Sequence, residues 1–169
     1  MSHFKKNKGF SLIELIVTIT ILGVFSAIAI PSFTSLVNNN RLQSTSNELA
    51  SLLQYARSTA AQNNATYITC ISSGIWTVKK GNACSSTVDL RSYEPPTNFN
   101  IAYTTNMLPM TFYSNGTTSV ASAGAGLIVC KGTDAANGYK LTVKNSGQIR
   151  VWNKGKTEAG AALTSCTPT

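Results

Sequence analysis

The sequence is poor in the side chains that carry out chemistry. Its one histidine is His3, only six of its 169 residues are Asp or Glu, and its four cysteines form no C-x-x-C pair. With no histidine beyond residue 3, the body of the chain cannot build a Ser/His or Cys/His nucleophile and base. The carboxylates found there, Glu48, Asp89, Glu94, Asp134 and Glu158, show none of the paired spacing used in acid–base catalysis. Gly124-Ala125-Gly126 lacks the rest of a phosphate-cradling loop, and the cysteines lack zinc-site spacing. These absences argue against an enzyme and against any cofactor or metal, and leave structural and binding roles.

What the sequence has instead is one long apolar run. Lys5, Lys6, Lys8 and Gly9 precede Phe10–Ile30, a segment whose only charge is Glu14. As a helix these residues extend roughly 31 Å, enough to cross a bilayer. The lysines ahead of the run predict a cytoplasmic N-terminus and an outward-facing remainder. A carboxylate inside such a helix costs several kcal/mol unless it is protonated or paired, and a plain anchor gains nothing from it. Ala27-Ile28-Ala29 also offers the small-x-small site of an ordinary secretory signal. That reading and an uncut signal anchor both leave Glu14 without a reason. Pro31 is either a helix stop or a kink within a longer helix.

Gly9-Phe10-Ser11-Leu12-Ile13-Glu14-Leu15, with Pro31 farther on, resembles the class III signal of type IV pilins and type II secretion pseudopilins. The resemblance implies cleavage by a prepilin peptidase after Gly9 and N-methylation of the new terminus, Phe10. It also implies an assembly role for Glu14, whose carboxylate would meet the α-amino group of a neighbouring subunit. The implied domains are a leader at 1–9, a transmembrane and filament-core helix half at 10–37, and a periplasmic globular domain at 38–169. The implied partners are other minor and major pilins, the peptidase, and the inner membrane before assembly. The chain would cross that membrane once and later join a filament at the cell surface.

The outward part is one domain of about 130 residues with a single modest core. Formal net charge is +8, and it falls to +5 without the three leader lysines. Basic residues concentrate late: Lys131, Lys140, Lys144, Arg150, Lys154 and Lys156 lie in a stretch whose one acid is Asp134. Cys70, Cys84, Cys130 and Cys166 all fall outside the cytoplasm, where disulfides persist. Of the three possible connectivities, Cys70–Cys84 and Cys130–Cys166 are expected. The first pair brackets a hairpin, and the second would tie down the C-terminal tail.

From Ser32 to Asn63 the pattern becomes amphipathic, with Leu42, Leu49 and Ala56 at a spacing of seven and Thr45, Leu52 and Thr59 on the same face. That face either packs on the domain's own sheet or meets a partner. Asn38-Asn39-Asn40 is the most polar point, and Asn63-Asn64 a helix stop. Short β-prone runs follow at 65–71, 75–79, 88–93, 98–103, 110–113 and 127–130. The first two flank Ser72-Ser73-Gly74. Glu94-Pro95-Pro96 separates the next two and precludes regular pairing there. Residues 119–126 read as a loop.

Tyr139–Trp152 has a readable geometry. A three-residue turn at Asn145-Ser146-Gly147, with Gly147 left-handed, places Lys144 opposite Gln148, Thr142 opposite Arg150, and Lys140 opposite Trp152. The other face pairs Val143 with Ile149 and Leu141 with Val151, an apolar side that pins the register. Lys154 and Lys156 follow, so five cations are expected near one another.

A long helix followed by short strands and a restrained tail is an α+β arrangement, the helix packed on antiparallel sheets. Together with Met110-Thr111-Phe112-Tyr113-Ser114-Asn115-Gly116 and Asn145-Ser146-Gly147-Gln148-Ile149-Arg150, it is similar to the H-type minor pilins and pseudopilins, the GspH, FimT and FimU group. That resemblance implies a structural minor pilin that helps initiate a type IV pilus near its tip, or a minor pseudopilin of type II secretion. It also implies a DNA-binding alternative, since some FimT-type members use a Gly-Arg-x-Arg motif in the late hairpin. Gly147-Gln148-Ile149-Arg150 keeps the second arginine and lacks the first. Lys140, Lys144, Lys154 and Lys156 are the cations that could compensate.

Overall fold

The computed structural model describes residues 10–168. One helix, α1 (Leu12–Gln62), is followed by eight strands. These are β1 (Tyr67–Ser72), β2 (Ile75–Lys80), β3 (Asp89–Tyr93), β4 (Phe99–Tyr103), β5 (Met110–Phe112), β6 (Ala125–Lys131), β7 (Asp134–Val143) and β8 (Ile149–Val151). The chain divides into two compact units, Met1–Asn38 and Asn39–Thr169.

In the first unit every side chain from Phe10 to Leu36 is exposed, and the helix runs on past Pro31. Three of its four polar side chains between Leu12 and Ile30 are satisfied within the helix. Thr18 donates to the Leu15 carbonyl, Thr20 to Val17 and Ser26 to Leu22, each at 2.8 Å. Hydroxyls bonded in this way can sit in hydrocarbon without an outside partner. The fourth polar side chain is Glu14.

In the second unit the heptad face of α1 is buried: Leu42, Leu49, Leu52, Leu53 and Ala56 are at most 1% exposed. They share a core with Trp76 and Val78 of β2 and Leu127, Val129, Leu141 and Val143 of β6 and β7. The stripe therefore packs on the domain's own sheets. Ser46 and Ala60 join the buried face, whereas Thr59 is only half-buried. Each fully buried leucine contributes about 1.5–3 kcal/mol. The helix ends as the asparagines suggest. Asn64 turns left-handed at φ 46°, the Ala65 amide donates to the Ala60 carbonyl, and the Asn63 side chain caps Thr59.

The strands form two antiparallel sheets, ordered β3-β2-β1-β5 and β4-β6-β7-β8. β1 and β2 make the expected hairpin, but the turn is Ser73-Gly74, with Ser72 paired to Ile75. Both turn residues have positive φ, at 51° and 82°. This is the primed two-residue geometry that matches strand twist. Residues 119–126 are not all loop. Val120 is buried, the Asn145 amide group donates to the Thr118 and Val120 carbonyls, and β6 already begins at Ala125. β7 starts at Asp134, five residues before the predicted hairpin, because its first half pairs back on β6.

Two disulfides staple this unit. Cys70 of β1 joins Cys84, Cα atoms 5.9 Å apart, and Cys130 of β6 joins Cys166, 6.0 Å apart. Around the second, the tail packs Leu163 and Cys166 on Ile128, Cys130 and Ala135. Gly138 makes room for it, since a Cβ there would lie 2.8 Å from the Cys130 sulfur. The 36-residue separation gives about 3.8 kcal/mol in the loop-entropy model. The Cys130→Ser, Cys166→Ser double variant is expected to unfold at a temperature lower by roughly 10 °C and to lose protease resistance first in residues 153–168. An unchanged melting temperature with an intact tail would show that packing alone holds it.

Candidate functional site

At the N-terminal end, Gly9 lies outside the described residues. Phe10 is 75% exposed, and the Ser11 carbonyl accepts the first helical bonds, from the Glu14 and Leu15 amides at 3.1 and 3.2 Å. Ser11 is thus the N-cap and Glu14 the third helical residue, where a carboxylate is favoured by the helix dipole. Ser-x-x-Glu is also capping-box spacing, a second reason for Glu14 that sequence reasoning missed. The reciprocal side-chain bonds of that box are not made among the described residues, and Glu14 is exposed. Its carboxylate is available to a group outside the chain.

The late hairpin has the expected register. Leu141 pairs with Val151, Thr142 with Arg150 and Val143 with Ile149. The Lys144 amide donates to the Gln148 carbonyl and the Trp152 amide to the Lys140 carbonyl. Gly147 has φ 77°, the left-handed turn residue the spacing requires. Leu141 and Val143 are fully buried.

Arg57 of α1 anchors the turn. Its Nε donates to the Gly116 carbonyl at 3.1 Å and its terminal nitrogen to the Ser146 carbonyl at 3.4 Å. One helical side chain thereby joins the 113–117 turn to the hairpin turn. Sequence separations of 59 and 89 residues put this tie beyond any local signal.

The five predicted cations are not brought together. Lys140 is 3.5 Å from Glu158. The Arg150 guanidinium carbon lies over the Trp152 ring, 4.0 Å from its centre, and the Trp152 indole N–H donates to Thr142 Oγ1. Lys144 and Arg150 are exposed. Lys154 and Lys156 sit in the turn after β8, at the far end of the hairpin. The Gly155 amide donates to the Gly138 carbonyl, six residues from Lys144, which is about 20 Å along a strand. The Asp134 carboxyl is held below the usual range mainly by the Asn137 side-chain amide, with the charge of Lys154 the smallest contribution. The Lys156 backbone pairs with Ala162, and its side chain is exposed. In place of one five-cation cluster, Lys144 and Arg150 are exposed near the hairpin turn, Lys140 is paired with Glu158 beside them, and Lys154 and Lys156 are exposed at the hairpin's other end.

The family described as type II transport protein GspH matches residues 45–147, more than half of the chain. The chain belongs to the GspH family. The prokaryotic N-terminal methylation motif matches residues 4–30. Among solved structures, the GspH-family chain is similar to the type IV minor pilin FimU of Pseudomonas aeruginosa in two crystal forms. One has a TM-score of 0.62 at 23% identity, covering 78% of this chain and 98% of FimU. The other has 0.59 at 24%, covering 74% and 99%. It is also similar to the minor pseudopilin EpsH of the Vibrio cholerae type II secretion system, with a TM-score of 0.51 at 11% identity, covering 71% and 99%. A search of curated proteins finds no match. The likeness to these structures shows the pilin fold, the α+β arrangement read from the sequence.

Proposed function

We propose that this protein is a structural minor pilin, cleaved by prepilin peptidase, held in the inner membrane by residues 10–37, and then incorporated near the tip of a type IV pilus that it helps to initiate. The observation that carries the reading is Glu14. Along Leu12–Ile30 the three hydroxyls are bonded to the helix itself, which leaves this carboxylate as the one polar side chain needing a partner from another chain. The α-amino group of a neighbouring Phe10 is that partner. The likeness to FimU exceeds that to EpsH, at 23% against 11% identity and a TM-score of 0.62 against 0.51, and this supports the pilus arm over the secretion arm. Intact mass of the membrane-extracted protein is expected to show a chain beginning at methylated Phe10. Deleting the gene is expected to lower the number of surface pili several-fold and leave secretion unaffected. A terminus at Met1 or near Ile30, or a secretion defect with normal pili, would overturn the proposal.

Arg150 stacked on Trp152 beside the exposed Lys144 favours a second reading, non-specific DNA binding. Two exposed cations predict weak affinity, at about 10⁻⁴ M or weaker at physiological salt, and a log–log salt slope of roughly −2. Titrating the full chain with duplex DNA at two salt concentrations is the measurement. Lys144→Glu with Arg150→Glu is expected to remove all binding. Binding that survives the double variant would place it elsewhere.

A further inference from the structure

Away from the filament helix and the basic hairpin, a cleft of about 370 Å³ opens beside the β1–β2 turn. Its lining includes Ile71, Trp76, Glu94, Pro95, Ile101 and Tyr103. Trp76 is 1% exposed, so it forms a rigid wall, whereas Tyr103 is 41% exposed and offers its ring to solvent. The two rings meet edge to face with centroids 6.1 Å apart, which holds the tyrosine in place. Ile71, Pro95 and Ile101 are half-buried, an apolar rim with no covering element among the described residues.

The charge pattern of the second unit singles out this cleft. Glu48 lies 3.8 Å from Arg91, Asp89 3.0 Å from Lys79, and Glu158 3.5 Å from Lys140. Asp134 accepts from both the backbone and side-chain nitrogens of Asn137. Among the described residues of this unit, Glu94 is the one carboxylate with neither a cation within 4 Å nor a hydrogen bond. In a chain of net charge +8, the one unpaired acidic side chain among the described residues of this unit stands at an aromatic, proline-walled cleft.

We infer that this cleft receives an arginine side chain from a neighbouring protein chain. The guanidinium would sit between the Glu94 carboxylate and the Tyr103 ring, and its methylene stem would run along Ile71, Pro95 and Ile101. A planar guanidinium can take the carboxylate through two N–H groups while stacking on an aromatic face, which a lysine ammonium cannot do. The protein already uses such stacking twice, with Arg91 5.5 Å from the Tyr55 ring centre and Arg150 4.0 Å from that of Trp152. The apolar rim gives a stem something to cover and gives a free small cation nothing. The inference goes beyond the filament reading and does not depend on it, because every residue involved lies outside the assembly helix.

The test is a saturation-transfer NMR titration of the full chain in zwitterionic nanodiscs. The probes are acetyl-Gly-Arg-Gly-amide, its lysine counterpart, and its citrulline counterpart, which keeps the shape and removes the charge. The arginine peptide is expected to bind about tenfold more tightly than citrulline, a difference of roughly 1.4 kcal/mol. Lysine is expected between them. Glu94→Gln should bring arginine down to the citrulline level without changing the melting temperature, since Glu94 is exposed. Tyr103→Leu should weaken arginine more than citrulline, and Glu48→Gln should leave the ratio intact. Equal binding of arginine and citrulline, or a ratio that survives Glu94→Gln, would overturn the proposal. Equal binding of lysine and arginine would overturn the stacking geometry.

Discussion

Glu14→Ala is expected to leave the chain cleaved, inserted and stable, yet absent from filaments. Alanine gives up the dipole preference for a carboxylate in the first turn, about 0.3–1 kcal/mol, but it is a good helix former and removes the one charge of the apolar segment, so insertion does not suffer. The loss falls on assembly. A neighbouring subunit's ammonium would enter a low-dielectric helix bundle without its counter-charge, and breaking a buried pair in this way costs about 3–5 kcal/mol. That corresponds to a drop in incorporation of more than about a hundredfold. Immunoblots of sheared filaments and membrane fractions measure the ratio, and intact mass confirms processing. Glu14→Gln separates charge from shape, and it should fail nearly as badly. Parent-level incorporation of either variant would remove Glu14 from assembly.

Gly147→Ala is expected to be the most damaging single-carbon change in the globular unit. Gly147 has φ 77°, and a Cβ there would overlap the Gly116 carbonyl oxygen and lie 2.7 Å from Arg57 Nε. The left-handed conformation costs a non-glycine residue about 1–2 kcal/mol. Displacing a backbone carbonyl already held by Arg57 adds about 1–3 kcal/mol. A total near 3 kcal/mol lowers the melting temperature by roughly 10 °C for a unit of this size. Gly74→Ala is the control, because Gly74 has φ 82° but nothing within 4 Å of the added carbon. It should lose only the conformational part. If the two variants melt together, the packing of the 113–117 turn on the hairpin turn contributes nothing.

The readable parts of this protein are those whose cause is local. A period of two with a glycine at the left-handed turn position specifies one hairpin register, and 141–143 pair with 149–151 accordingly. A heptad of leucines specifies one helix face. Asn63-Asn64 specifies a stop, and the Asn64 φ of 46° shows the mechanism. The start of β7 was not readable, because Asp134-Ala135-Ala136-Asn137-Gly138 has no β-prone side chains. It is extended because it pairs with β6 and because the tail returns to it through the Gly155 amide. β3 and β4 are neighbours in sequence but lie in different sheets, and nothing in either run names its partner.

The candidate sites divide along the same line. Sequence by itself determined the methylation-motif segment, the family's fold and the hairpin that carries Lys144 and Arg150, since each depends on order and spacing along a few turns or one ladder. Only the tertiary structure decided which charges remain free. Glu158 reaches Lys140 because the tail folds back over β7, and the same return holds Gly155, between Lys154 and Lys156, against Gly138 and away from the hairpin turn. Glu94 is left unpaired beside Trp76 and Tyr103 because two sheets meet there. Coulomb energy depends on distance through space, and the chain's connectivity does not fix that distance until the sheets and the disulfide-held tail are in place.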